Sequence, residues 1–274
     1  MRAPLEEFLP RPSVMGVVNV TPDSFSDGGQ FLRTDAAVAC AYGFVEEGAE
    51  IVDIGGESTR PGAEAVSEEE ELARVEPVLI RLAEMNVSID TSKAAVARRA
   101  LEEGAVMVND VTALRGDPEM AGVVADGDAY LCLMHMLGEP RTMQEDPRYE
   151  DVVSEVAAFL EERLAFATDA GIPEGYICLD PGIGFGKTVE HNLELLRRLD
   201  EIVALGRPVI VGASRKRFLG RVLGDPEAVT GPVAAGVAVA VLAYEHGASI
   251  IRAHDVREHV QALKAARAVV ESNA

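Results

Sequence analysis

The chain has 274 residues, of which 48% are apolar and 26% charged, and its formal net charge is −21. That charge excludes nucleic acid and anionic membrane as natural partners, and the apolar share over this length fits one large α/β domain with its own core. Glu6 and Glu7 in a short, Pro-punctuated lead-in (residues 1–13) argue against a secretory signal, and the weakly polar run Gly231–Tyr244 is too short to span a bilayer. Cys40, Cys132 and Cys178 have neither paired nor metal-ligand spacing, so the expectation is a cytoplasmic protein without disulfides.

In chain order, eight short apolar runs end abruptly in polar, Gly or charged clusters. Val14–Val20 runs into Thr21–Gly29, Ile51–Ile54 into Gly55–Gly62, and Val87–Ile89 into Asp90-Thr91-Ser92-Lys93. Val106–Val108 meets Asn109-Asp110, Leu131–Met134 meets His135, and Ile177–Leu179 meets Asp180-Pro181-Gly182. Val209–Val211 reaches Gly212–Lys216, and Ile250-Ile251 reaches Arg252-Ala253-His254-Asp255. Buried parallel strands read as continuous apolar runs. Eight of them predict a single (β/α)8 barrel over residues 14–274, with the ligand site at the C-terminal ends of the strands; a doubly wound open sheet is the alternative such alternation allows.

Helical spacing falls between the runs, near 35–47, 67–84, 93–103, 149–170, 189–198, 228–245 and 256–272, with the weakest signal at 117–126. Gly48, Gly104, Gly171 and Gly247 stand where a left-handed residue closes a helix, and Ser67 with Glu70 has capping-box spacing. The run Gly182–Thr188 imitates a phosphate-binding loop, but the place of its first Gly holds Pro181, and Lys187 stands where a dinucleotide fingerprint needs its last Gly. The five His residues show no metal-ligand pairing.

The strand ends carry a chemistry of their own. Arg60, Lys187, Arg215, Lys216, Arg217, Arg252 and His254 form a basic rim on an acidic protein, which suits an anionic, phosphate-bearing ligand. Asp53, Asp90, Asn109 and Asp180 end different strands. A partly desolvated carboxylate needs a donor, and the adjacent N–H groups of a 2-amino-4-oxo-pyrimidine match one carboxylate. An Asn can read another edge and Lys216 the carbonyl, so the set points to a purine- or pterin-like heterocycle with a phosphate tail. Taken singly, Asp90 or Asp110 could instead cap the following helix.

The segments Asn19–Gly29, Asp53–Gly62 and Asp180–Lys187, with Ser214-Arg215-Lys216 and Arg252–Asp255, resemble the signatures of the bacterial dihydropteroate synthases, a pterin-binding barrel family. The resemblance runs from about residue 14 to 256. It implies a homodimeric barrel that joins 6-hydroxymethyl-7,8-dihydropterin pyrophosphate to p-aminobenzoate with Mg2+ and releases pyrophosphate. By the same resemblance the pterin pocket is Asp90, Asn109, Asp180 and Lys216. The p-aminobenzoate site is Thr59, Arg60, Pro61 and Phe185, beside Lys216. Pyrophosphate falls to Asn19, Arg60, Arg252 and His254, with Asn19 and Asp27 toward the metal, and Asp90, Lys216, Arg252 and His254 carry the chemistry. Arg217 stands where some members have a Ser, which leaves the benzoate carboxylate contacts open. Three other readings share features with this one: a pterin-dependent methyltransferase with a corrinoid partner, a Schiff-base aldolase using Lys216 or Lys187, and a catalytically silent pterin-binding paralogue.

Overall fold

The computed structural model describes residues 2–21, 30–58, 62–139 and 141–271, and for 30–33 the backbone alone. Its strands are β1 (Ser13–Asn19), β2 (Ile51–Gly55), β3 (Val87–Asp90), β4 (Met107–Asp110), β5 (Tyr130–Met134), β6 (Ile177–Asp180), β7 (Ile210–Val211) and β8 (Ile250–Ala253). Its helices are α1 (Leu5–Phe8), α2 (Gln30–Glu47), α3 (Glu68–Arg81), α4 (Ala94–Glu102), α5 (Met120–Asp126) and α6 (Val152–Asp169). They continue as α7 (Val189–Arg197), α8 (Leu199–Val203), α9 (Arg217–Val222), α10 (Val233–Glu245) and α11 (Val256–Glu271).

All strand pairs are parallel, in the order β6-β5-β4-β3-β2-β1-β8-β7. Leu179 bridges Val209 in parallel, and its N–H donates to the Pro208 carbonyl at 2.9 Å, which joins β6 to β7 and closes the (β/α)8 barrel. The eight expected strands are all present. Alternate residues along each strand face opposite sides. Val14, Val18, Val52, Ile54 and Val108 therefore pack outward under the helices, while Met15, Ile51, Met107, Tyr130, Cys132, Cys178, Ile210 and Ile250 fill the barrel.

The lead-in is more than a connector. Leu5 and Leu9 join the inner cluster, the Phe8 ring stacks on Tyr130 with centroids 4.9 Å apart, and the hydroxyls of Tyr130 and Tyr176 donate to the carbonyls of Ala3 and Arg2. One turn of helix thus plugs the end of the barrel away from the strand C-termini. No periodicity can announce a helix that short.

Helix ends follow local chemistry. Gly48, Gly104, Gly171 and Gly247 all adopt φ near +100°, between +96° and +105°, as closing residues should. Ser67 accepts from the Glu70 N–H, but the Glu70 carboxylate turns to Arg74, so only half of the expected capping box forms. The helix expected from 228 begins instead at Val233, because Pro232, extended at φ −70° and ψ 151°, supplies the N-cap. The short α9 fills part of the interval.

Candidate active site

Register sets the first contacts. Gly55 pairs with Asp90 and Asp90 with Asn109 across β2, β3 and β4, so neighbouring strands deliver an acid and an amide side by side at the barrel mouth. Asp180 arrives from β6, Lys216 from the turn after β7, and Arg252 from β8. With Val111, Met134, Ile183 and Phe185 these residues line a cavity of about 340 Å³, part of it open to solvent. Apolar walls with a few converging polar groups are the usual make-up of a small-molecule site.

Each polar side chain is held by a specific partner. Asp180 Oδ1 accepts the Gly182 N–H at 2.7 Å, and burial raises its carboxyl above the ordinary range. Gly182 has φ +67° and lies so close to His135 that a Cβ would stand 1.9 Å from that carbonyl oxygen; only glycine fits. Lys216 Nζ lies 3.9 Å from the Phe185 ring centroid, and burial together with the nearby Arg252 charge lowers its pKa to about 8.

Arg252 does not stand apart with the pyrophosphate residues. Its Nε donates to Asp53 Oδ2 at 2.7 Å and its Nη2 to Asp90 Oδ2 at 2.8 Å, placing it inside the acid cluster. Burial opposes its charge, but Asp53 and Asp90 outweigh that and hold its pKa above the ordinary range. Burial pushes Asp90 up to about 7, with Arg252 pulling the other way. Asn109 Nδ2 donates to Asp53 Oδ2 at 3.0 Å. Because a carboxylate only accepts, this contact fixes the amide and turns Asn109 Oδ1 away from Asp53.

The capping alternatives separate cleanly. Asp110 folds back on its own loop, accepting from the Thr112 N–H and hydroxyl and from the Leu114 N–H, and takes a structural role. Asp90 does not cap α4; the Ala94 N–H is taken by Asp117. The basic rim is also smaller than the sequence suggests. Lys187 is buried behind the β6 loop, 2.9 Å from His135 Nδ1 and donating to the Phe185 carbonyl, with its pKa lowered by burial to about 7. Arg215 pairs with Asp255, and Arg217 Nε donates to the Ala228 carbonyl. Among the described residues, Lys216, Arg252 and His254 remain at the mouth. His254 lies 3.4 Å from Ser214 Oγ through Nδ1, and burial and the Arg252 charge lower its pKa to about 3. It therefore offers a neutral N–H, not a charge.

Asn19 ends β1 opposite Gly55. A Cβ on Gly55 would lie 3.6 Å from Asn19 Oδ1 and 3.7 Å from Asp90 Oδ2, so the missing side chain leaves both oxygens facing one space. Among the described residues no three His, Cys, Asp or Glu side chains gather as a metal cage. A lone amide oxygen there fits Mg2+ that arrives on a phosphate, since this ion keeps water and takes few protein oxygens. Asp27, Thr59, Arg60 and Pro61 lie outside the described residues. The described base of their second loop is clamped: Glu57 Oε1 accepts the Val66 N–H, and Glu57 Oε2 accepts from Lys93, which also reaches Glu71. Asp53, counted in the sequence with the strand-end groups that meet the ligand, lies instead in the middle of β2 and meets Arg252 and Asn109; Ser214, His135 and this Lys93 cluster had no role in the sequence reading, because each acts through a partner distant along the chain.

A family described as "Pterin binding enzyme" matches residues 15–254. The dihydropteroate synthase of Neisseria meningitidis serogroup C is 46% identical over 265 residues, covering 94% of this chain and 92% of that one. A Xanthomonas albilineans dihydropteroate synthase solved with 4-aminobenzoic acid superposes with a TM-score of 0.88 at 48% identity, covering 96% of this chain and 94% of that one. The same organism's dihydropteroate synthase in complex with 7,8-dihydropteroate gives a TM-score of 0.84 at 46% identity, covering 96% of this chain and 95% of that one.

Proposed function

Because the chain belongs to the pterin-binding enzyme family, we propose that its barrel mouth is a dihydropteroate synthase site. It joins 6-hydroxymethyl-7,8-dihydropterin pyrophosphate to p-aminobenzoate, giving 7,8-dihydropteroate and pyrophosphate for folate synthesis. The observation that carries this is the convergence of Asp90, Asn109, Asp180 and Lys216 on one cavity walled by Phe185. It sits on a scaffold whose relatives hold 4-aminobenzoic acid or 7,8-dihydropteroate.

Asp180 takes the 2-amino/N3 edge of the pterin, Asn109 a second edge, and Lys216 the 4-oxo oxygen. The bond between the pterin methylene and the pyrophosphate oxygen breaks, and its electron pair leaves with the oxygen. Arg252 and the His254 N–H receive that developing charge with donors already in place. Asp90 faces the positive charge left on the methylene and ring. The aniline nitrogen of p-aminobenzoate, held against Phe185 and by Thr59, Arg60 and Pro61, then forms the new C–N bond and sheds its proton to water. Asn19 and Asp27 would hold Mg2+, which would supply neutralisation of the phosphate charge. No side-chain nucleophile is required.

Residues 14–274 act as one catalytic barrel domain, with 1–13 as its plug. The three free thiols suit a cytoplasmic setting. No helix of the described residues is long and apolar enough to cross a membrane. A homodimer is supported by α10, which carries no charge from Val233 to Tyr244 and turns Ala234, Ala238 and Leu242 to solvent. A helix apolar all round is normally covered. The decisive experiment is an assay of the purified chain with Mg2+ and both substrates, detecting dihydropteroate. No product with pterin bound points to a silent paralogue.

A further inference from the structure

We propose that Asp53, which ends no loop and lines no part of the cavity, is the positioning residue that holds Arg252 and Asn109 so that Asp90 is available to the pterin. The inference rests on the synthase reading above.

Asp53 is wholly buried inside the barrel, in the middle of β2. A single oxygen, Oδ2, accepts from Arg252 Nε at 2.7 Å and from Asn109 Nδ2 at 3.0 Å. Those partners come from β8 and β4, on either side of β2, so one carboxylate ties the residue assigned to the leaving group to a residue assigned to the heterocycle. The arrangement has a consequence for Asp90. Arg252 spans two acids, using Nε for Asp53 and Nη2 for Asp90. A pterin that needs Asp90 must compete with Nη2 alone, because Nε stays on Asp53 and keeps the guanidinium from collapsing wholly onto Asp90. Without the Asp53 charge, Asp90 becomes the main counter-ion of a buried guanidinium and is withdrawn from the ligand. Asn109 loses its orientation by the same change, since an acceptor-only partner is what fixes its amide.

Asp53 Oδ1 is buried with no hydrogen-bond partner among the described residues, and so is Ser88 Oγ. Asp53 and Ser88 are register partners on β2 and β3, so their side chains leave the sheet on the same face. An asparagine at 53 could keep its oxygen toward Arg252 and Asn109, and its NH2 would replace a charged oxygen that has no partner in the native chain. Asp53→Asn should fold at least as well as the native chain and bind pterin worse, a split that a merely structural residue does not produce.

The test measures binding of 6-hydroxymethyl-7,8-dihydropterin by calorimetry, thermal unfolding, and the KM for p-aminobenzoate at saturating pterin pyrophosphate. For Asp53→Asn the expected result is a pterin Kd raised roughly tenfold or more, a Tm equal to or above native, and an unchanged benzoate KM. An unchanged pterin Kd overturns the proposal, as does a weaker Kd accompanied by a lower Tm. Should the variant not fold, Arg252→Gln is compared with Asp53→Asn/Arg252→Gln. A further loss well below tenfold in the double variant, where only the Asn109 contact is left to lose, shows that Asp53 acts mainly through Arg252, and a full further loss of roughly tenfold overturns it. A native chain that binds no pterin and makes no dihydropteroate would instead overturn the synthase reading.

Discussion

Lys216 Nζ stands 3.9 Å from the centroid of the Phe185 ring, so the cation expected to serve the pterin carbonyl leans on the wall expected to hold the benzoate. The turn after β7 and the loop after β6 are thereby coupled at the point where the two substrates must meet. An ammonium with three donors and no fixed plane can rest on a ring face and still reach an oxygen.

Lys216→Ala should lower kcat/KM by about 100-fold or more, the scale of losing one preorganised donor to developing charge or to a substrate oxygen. Cys132→Ser and Cys178→Ser, in the apolar barrel interior, should cost stability and leave kcat near native. Steady-state kinetics on the three variants, with folding checked by circular dichroism, makes the comparison. A cysteine variant that loses turnover while Lys216→Ala keeps it would refute the mechanism without a side-chain nucleophile.

Asp180→Asn should weaken pterin binding before it changes anything else. Its Oδ1 already serves the Gly182 N–H, and the new amide would turn an N–H2 toward a ligand edge that itself donates. The loss is expected on the order of 2–4 kcal/mol, read by calorimetry on the folded variant.

The pH dependence of kcat/KM for the pterin substrate should be bell-shaped with its crest near pH 7 to 8. Asp90, raised by burial to about 7, must be deprotonated to accept, so the rate climbs as pH rises through that value. Lys216, lowered by burial and Arg252 to about 8, must stay protonated, so the rate falls above it. This profile reports the free enzyme. Lys216→Arg should extend the alkaline limb, and an unaltered limb would assign the upper pKa elsewhere.

Pyrophosphate binding should carry a proton with it. Buried His254 is neutral at pH 7, its pKa lowered by burial and the Arg252 charge to about 3. A polyanion beside it favours the imidazolium. Affinity should then strengthen as pH falls through the bound-state pKa. Calorimetry near pH 6 in two buffers of different ionisation heat measures the net proton exchange, and the native chain should take up more protons than His254→Gln, the difference removing the ligand's own titration. Equal exchange in the two proteins would show that His254 stays neutral throughout.

Leu242→Arg, at a position 54% exposed on the uncharged stretch Val233–Tyr244 of α10, should convert a dimer to monomer without unfolding the barrel. Sedimentation equilibrium decides it, and a native chain that already sediments as a monomer would remove the dimer from the reading.

Eight strands, most of the helices and the four glycine closures were legible in the chain because each depends on neighbours a few residues apart. The lining of the mouth was legible in part: Asp90, Asn109, Asp180 and Lys216, read off different strand ends, line one cavity, while Asp53, read with them, lies in mid-strand and meets Arg252 and Asn109. What the sequence could not decide was partnership. Lys187 and Arg252 look alike as basic residues at strand ends, yet one is buried against His135 and the other is shared by Asp53 and Asp90. Asp110 and Asp90 look alike as acids, yet one is spent on its own loop and the other faces the cavity. Residue spacing along the chain sets which face of an element a side chain occupies. Which distant donor it meets, and how far burial shifts its charge, depend on barrel closure and strand register, which bring residues 162 and 199 positions apart within hydrogen-bond distance.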